Sequence, residues 1–304
     1  MTYYDFLGAF AQMQKLGSVN DLLGTHAKRY ASQIESRSRA QQYIEDLHNA
    51  IGLDWNGLRV LELSCNYGAQ SVELAKLGAK VVGCDASAKW LELAQINAQY
   101  EAQPSWINCD VSLRSSRKQL VELGPFDLVL ANDIFDRTYD SAGLMDNLRV
   151  SMASHGQLVF KITNARGTRN VIQDTYKKLF GISLLAPDYW PLFVTAPFQI
   201  YYRRWEHWLA LFEECGFASP VMTHLKRDES LELTQKHIES DIRKIRRHLK
   251  QDNFLNTTQF KFVRMACQQY CKEVEEDLQG LAWDDLYLKY RLTAWKGIIQ
   301  AAPG

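Results

Sequence analysis

Acidic and amide side chains recur in this chain just inside, or just past, short apolar runs. Arg59-Val-Leu-Glu-Leu-Ser64 carries Glu62 and leads into a loop, Cys65-Asn-Tyr-Gly68. Lys80-Val-Val-Gly-Cys84 is followed by Asp85, Trp106-Ile-Asn-Cys109 by Asp110, and Phe126-Asp-Leu-Val-Leu-Ala131 by Asn132-Asp133. Ionised carboxylates are acceptors and negative charges, so a row of them can hold hydroxyls, an amino group or a cation. Any one of these acids alone reads as a solvated residue at a strand end. Their joint spacing on consecutive runs points to one site, because open parallel sheets bind ligands beyond the carboxyl ends of their strands.

The loop narrows the ligand. A dinucleotide fold uses Gly-x-Gly-x-x-Gly so that a pyrophosphate can approach bare backbone at a helix N-terminus. Here the corresponding positions are Ser64, Asn66 and Gly68. Two side chains would crowd a pyrophosphate and Glu62 would repel it, which argues against a nicotinamide-dependent dehydrogenase. Asn tolerates left-handed backbone better than most residues, so the turn itself survives. A ligand with an ammonium and a sulfonium, and no phosphate, reverses the electrostatic objection; S-adenosylmethionine is such a ligand. Asp85, about twenty residues beyond the loop, is placed to accept ribose hydroxyls. Asp110, or the backbone beside it, is placed to read the adenine amino group.

The segments resemble class I S-adenosylmethionine-dependent methyltransferases. Val60-Leu-Glu-Leu-Ser-Cys-Asn-Tyr-Gly68 looks like their first motif and Lys80-Val-Val-Gly-Cys-Asp-Ala-Ser87 like the second. Phe126 to Asp136 resembles the fourth-strand motif of the small-molecule branch, which includes ubiquinone-biosynthesis-type O-methyltransferases. Gly156 to Arg166 resembles the fifth strand and its following loop. The likeness spans residues 57–225. It implies an α/β, Rossmann-like, mostly parallel sheet with helices on both faces, plus N-terminal helices and a C-terminal helical extension. The implied layout is a helical lid over 1–56, a core over 57–227 with an aromatic insertion near 181–205, and an extension over 228–304. The implied activity is methyl transfer to an oxygen or nitrogen of a small-molecule or sugar-containing acceptor. By the same resemblance Glu62, Ser64 and Gly68 line the methionine end of the cofactor, Asp85 the ribose and Asp110 the adenine, with Asn132 under the methionine. Cys65, Asn66, Ala86 and Val111 complete that set, and Arg39 or Arg37 is a candidate for the cofactor carboxylate.

The chain departs from the family where Ser64 and Asn66 replace glycines, and where Asp136-Arg137 stands in place of a common Glu-His pair. The second departure removes a histidine base at that position. Candidate catalytic groups are Asp133 and Asp136 after the fourth strand, and Tyr202 and His207 near the penultimate core helix. His207, between Trp205 and Trp208, also suits a packed or surface role. The aromatic stretch Tyr189, Trp190, Phe193, Phe198, Tyr201, Tyr202 and Trp205 reads either as a hydrophobic cover or as an acceptor pocket wall, with Arg203 and Arg204 facing an anionic group.

Several elements must position these residues. A helix is expected over Ser36–Ile51 ending at Gly52, another ending at Gly78, and a third capped by Ser87. Leu144, Leu148 and Met152 have helical spacing before the strand Gln157–Ile162. A helix is expected near Thr168–Phe180, one over Trp205–Cys215 stopped by Gly216, and a strand over Pro220–His224. Beyond 228, Ile238, Ile242, Ile245 and Leu249 mark one helix, and Val263 to Leu278 a second, with a strand at Phe260–Val263 as the alternative. Trp283, Tyr287, Tyr290 and Ala294 suggest a third.

The 304 residues include 35 basic and 35 acidic side chains, so no net field draws the chain to nucleic acid or an anionic membrane. No apolar run approaches the ~18 residues of a membrane span, and the N-terminus lacks the pattern of a secretory signal. The six cysteines are scattered without zinc spacing, so no metal is expected, and a reduced, cytoplasmic setting fits. Arg243-Lys-Ile-Arg-Arg-His-Leu-Lys250 is basic, whereas Glu273, Glu275, Glu276, Asp277, Asp284 and Asp285 are acidic. These faces suit mutual packing; a homodimer interface or a nucleic-acid dock are the sharper readings. The alternatives to a small-molecule methyltransferase are a non-catalytic binding or scaffold protein on this fold, or a methyltransferase of RNA or protein.

Overall fold

The apolar runs form the strands β1 Arg59–Leu63, β2 Lys80–Asp85, β3 Ser105–Asn108, β4 Phe126–Asn132, β5 Met152–Thr163, β6 Val221–Met222 and β7 Ala294–Gln300. They lie in a computed structural model that describes residues 3–99, 104–194, 200–223, 230–251 and 258–302. Among those residues the strands make one sheet in the order β3-β2-β1-β4-β5-β7-β6. The first five run parallel, and β7 enters antiparallel between β5 and β6. The order reverses at β1, between β2 and β4, which opens a crevice at the carboxyl ends.

Thirteen helices are described: α1 Tyr3–Met13, α2 Val19–Leu23, α3 Ala31–Ile34, α4 Ser36–Ile51, α5 Ala69–Lys76, α6 Ala88–Ala98, α7 Arg117–Leu123, α8 Ser141–Ser151, α9 Thr168–Ile172, α10 Trp205–Glu214, α11 Leu231–Leu249, α12 Thr258–Gly280 and α13 Trp283–Leu286. Alternate strand residues feed two cores. Val60, Val81, Leu128, Leu130 and Val159 pack against Ile44 and Leu47 of α4 and Leu74 of α5. Leu61, Val129, Leu158 and Ile162 pack against Leu144 and Leu148 of α8 and Trp208 and Phe212 of α10. Burial on both faces is why β1 and β4 read as continuous apolar runs. Helix α4 stops where Gly52 turns left-handed. That position holds α4 over β1 and β4, at one side of the crevice.

Helices α11 and α12 build their own core from Ile238, Ile242, Ile245, Val263, Cys267 and Val274. Arg246 of the basic run reaches Glu275 at 2.6 Å, whereas Arg243 pairs with Glu239 on its own helix. Phe260–Val263 is helical, as favoured over the strand. No helix among the described residues is long and apolar enough to cross a membrane.

Three expectations need correction. The helix near Thr168–Phe180 is only the short α9, because the Asp174 carboxylate takes the backbone N–H groups of Tyr176 and Lys177 into a turn. Met152 ends the helical spacing by starting β5, which is longer than its apolar part. The third helix beyond 228 stops at Leu286, passes through a π-turn at Tyr287–Arg291, and gives way to β7. Trp295 and Ile299 pack on one side of β7 and Ile298 on the other, a period of two that helical spacing of the aromatics had masked. The end of the expected helical extension is therefore a strand of the core sheet. Of the remaining readings, Phe198 and His224 lie outside the described residues.

Candidate functional site

A cleft of about 590 Å³ opens at the carboxyl ends of β1, β2 and β4, with Ser36, Arg39 and Ala40 of α4 on its rim. Its floor is the β1–α5 loop. Ser64 and Asn66 both take positive φ, +50° each, so the two residues standing where glycines were expected adopt the left-handed backbone that glycine would supply. The Asn66 side chain stabilises that shape by donating to the Ser64 carbonyl at 2.7 Å. Gly68 also turns left-handed, but a Cβ there would run into the Trp106 ring, and Gly68 is not on the cleft wall.

Asp85 joins the loop to the next helix. One carboxylate oxygen accepts the Asn66 N–H at 3.0 Å and the other the Ser87 N–H at 2.8 Å. The Ser87 side chain, expected as the cap of α6, makes no capping bond. A carboxylate has about four lone-pair sites, so these two bonds leave acceptor capacity on a residue that lines the cleft. Glu62 lies on the adjacent strand, buried, with Ser71 Oγ donating to it. Burial is the largest influence on Glu62 and pushes its carboxyl up to about 7; the Ser71 bonds oppose this and the charge of Asp85 adds to it. An incoming cation would restore its negative charge. Ser64, Cys65, Asn66 and Ala86 share this wall with Glu62 and Asp85.

The two arginines of α4 part ways. Arg37 binds Glu73 at 2.5 Å and Asn97 Oδ1 at 2.9 Å, tying α4 to α5 and α6. Arg39 makes an exposed ion pair with Glu35 at 2.8 Å and reaches the cleft. At the far end Asn132 Nδ2 donates to the Tyr43 hydroxyl at 3.0 Å. Asp133, with φ +59°, turns its carboxylate onto Lys161 Nζ at 2.9 Å and stays on the cleft wall.

Several expected site residues stand elsewhere. Asp110 is exposed and its carboxylate accepts the N–H and Oγ of Ser112, while Val111 is buried in the sheet core; neither lines the cleft. Asp136 is wholly buried. Its Oδ2 accepts the Thr163 N–H at 3.1 Å and the Tyr176 hydroxyl at 2.9 Å, and its Oδ1 has no partner among the described residues. Burial pushes its carboxyl up to about 6 against those bonds. Tyr202 donates to Asp174 at 3.2 Å, and the His207 ring packs edge-on to Trp208 with centroids 5.2 Å apart. Of the four catalytic candidates only Asp133 reaches the cleft. Gln70, Trp90 and Arg137 also line it and were not singled out from the sequence. Arg137 had a signal, as the neighbour of Asp136 in the substituted pair; its guanidinium lies 5.4 Å from the Tyr176 ring centroid.

A family described as a methyltransferase domain matches residues 36–235. A ubiquinone biosynthesis O-methyltransferase of Brucella ovis is 31% identical over 135 residues, 44% of this chain and 48% of its own length. The chain thus spans about half the length of the curated relatives it matches. Among solved structures, magnesium protoporphyrin IX methyltransferase of Synechocystis, with bound S-adenosylhomocysteine, is 21% identical with a TM-score of 0.43, over 64% of this chain and 78% of that one. A Haemonchus contortus phosphoethanolamine N-methyltransferase, in complex with S-adenosylmethionine, is 16% identical with a TM-score of 0.46, over 87% and 53%.

Proposed function

The chain belongs to the methyltransferase-domain family, and from that membership we propose that it transfers the methyl group of S-adenosylmethionine to an oxygen or nitrogen of a small-molecule acceptor. One observation carries the reading: Glu62 and Asp85, on adjacent strands, face the same cleft beside a loop whose side chains would crowd a pyrophosphate. The donor set fits a cationic, phosphate-free nucleoside. Glu62 would face the ammonium, Asp85 the ribose hydroxyls and Arg39 the carboxylate, with Asn132 beside the methionine end. When bound, the cofactor supplies an activated methyl group.

The chain's own residues then bind, orient and exclude water. Proximity and alignment account for up to ~7–11 kcal/mol of such a barrier in favourable cases. Asp133 is the carboxylate at the mouth that would accept a proton from the acceptor, with Lys161 holding it in place. General-base assistance of this kind is worth about 10²–10⁴ in rate. We read 1–56 as a helical lid, 57–227 as the core with its aromatic insertion, and 228–304 as an extension whose last strand returns to the sheet.

The test is calorimetry with S-adenosylmethionine and S-adenosylhomocysteine, followed by labelled methyl transfer to a panel of phenols and amines. Micromolar cofactor binding and a methylated product are expected. Absence of cofactor binding would overturn the proposal.

A further inference from the structure

A second cavity, about 250 Å³, sits beside the cleft and shares Gln70, Asn132 and Asp133 with it. A molecule in this cavity would therefore reach the cleft mouth. Tyr43, Leu47 and Ala50 of α4 and Val159 of β5 contribute apolar wall. The volume lies just below the range of drug-sized ligand pockets, about 300–1,000 Å³, and suits a single ring.

Lys161 and Lys296 lie in the same cavity, directly opposite one another across β5 and β7. Like charges in directly opposed positions destabilise a sheet. Lys161 is relieved by Asp133 at 2.9 Å. Lys296 is half-buried, and its ammonium has no hydrogen-bond or ion-pair partner among the described residues. Burial first, and Lys161 second, lower the pKa of Lys296, with Asp133 and Asp46 opposing them. Asp46 is exposed on α4 and accepts a bond from Gln42 Nε2 at 3.0 Å, so its field at Lys296 is largely that of a solvated charge. The opposed pair is thus left with an uncompensated positive end, beneath apolar walls and next to the cleft.

We propose that this cavity is the acceptor subsite, in which Lys296 binds an oxyanion, carboxylate or phosphate, carried on an apolar ring. The inference rests on the methyltransferase reading for the role of the neighbouring cleft, but its binding test does not. The full chain, with and without S-adenosylhomocysteine, is titrated calorimetrically with benzoate, phenyl phosphate and inorganic phosphate. Binding of benzoate or phenyl phosphate is expected, and the tighter of the two identifies the oxyanion. Lys296→Met and Lys296→Gln should each weaken it by about tenfold or more, with S-adenosylhomocysteine affinity unchanged. Without ligand, both variants should melt no lower than the parent chain, because a like-charge neighbour has been removed.

Equal anion affinity in parent and variants, no binding of either ring-bearing anion, or inorganic phosphate binding as tightly as phenyl phosphate would each overturn the subsite. A lower melting temperature in both variants would also overturn it, by making Lys296 a structural partner of Asp46. Failure of S-adenosylhomocysteine alone to bind would instead remove the cofactor reading, and the titrations of the unloaded chain would still decide the anion site.

Discussion

Glu62 and Asp85 on one side of the sheet's mouth, and Asp136 and Asp174 on the other, are all buried carboxylates, yet they face different ways. The first two stand on the wall of the cleft. The second two are sealed inside and bond to the protein: Asp136 through Oδ2 to Thr163 and Tyr176, Asp174 through both oxygens to Tyr176, Lys177 and Tyr202. Asp136 thereby pins the turn after β4 to the end of β5, and Asp174 holds Tyr202 against the turn after α9. The contrast separates carboxylates available to a ligand from carboxylates that hold the scaffold around it, although all follow apolar runs or sit near the same strand ends.

The largest expected effect bears on the scaffold side. Asp136→Ala leaves a buried N–H and a phenol without their acceptor and should cost about 2–4 kcal/mol in urea unfolding, while turnover per folded molecule stays within a few-fold. A hundredfold loss of turnover at unchanged stability would make Asp136 a base and erase the contrast. Its pH dependence sharpens the same point. Burial raises the Asp136 carboxyl from 3.8 to about 6. The folded state therefore holds a proton that the unfolded state releases. The stability contributed by that proton is full below the unfolded value and is lost as pH rises through about 6. Asp136→Asn should flatten that slope.

On the ligand side, Asp85→Ala should weaken S-adenosylmethionine by about tenfold to a hundredfold, read by calorimetry, through loss of an acceptor and of the bonds that shape the loop. Glu62 gives a smaller, pH-dependent effect. With its carboxyl pushed up to about 7, it is largely protonated at lower pH, and a cationic ligand prefers the ionised form. Affinity should rise as pH passes upward through about 7, and Glu62→Gln should remove the rise; a pH-independent parent protein would break the assignment. The smallest change belongs to Arg39→Ala. Its ion pair with Glu35 is exposed, so stability should move by less than ~0.5 kcal/mol. Cofactor affinity should fall nonetheless, whereas Arg37→Ala should unsettle the packing of α4, read as a lower melting temperature.

Much of this was legible before any coordinate. The apolar runs that became β1, β2 and β4 are buried on both faces, so their composition alone marks them, and the acids beside them mark one end of a parallel sheet. Helix α4 was readable to its last residue because Gly52 supplies the left-handed stop. Strand β7 was hidden because its aromatic approach, Trp283 to Ala294, also satisfies helical spacing, and antiparallel entry between β5 and β6 is a property of neighbours far away in the chain. The expected helix after β5 failed for a local reason, the capture of backbone by Asp174.

The order of apolar runs and acids determines the crossover, the sheet and the electrostatic sign of the crevice, since these depend on periodicity and on charge at strand ends. Only the folded structure decided which carboxylate faces the crevice. Direction at a strand end is set by the sign of φ at Ser64, Asn66 and Asp133, and by partners such as Thr163 and Tyr176 for Asp136. It likewise decided that Lys161 and Lys296 stand face to face. Spacing along a chain carries no information about which distant side chain will occupy the opposite register.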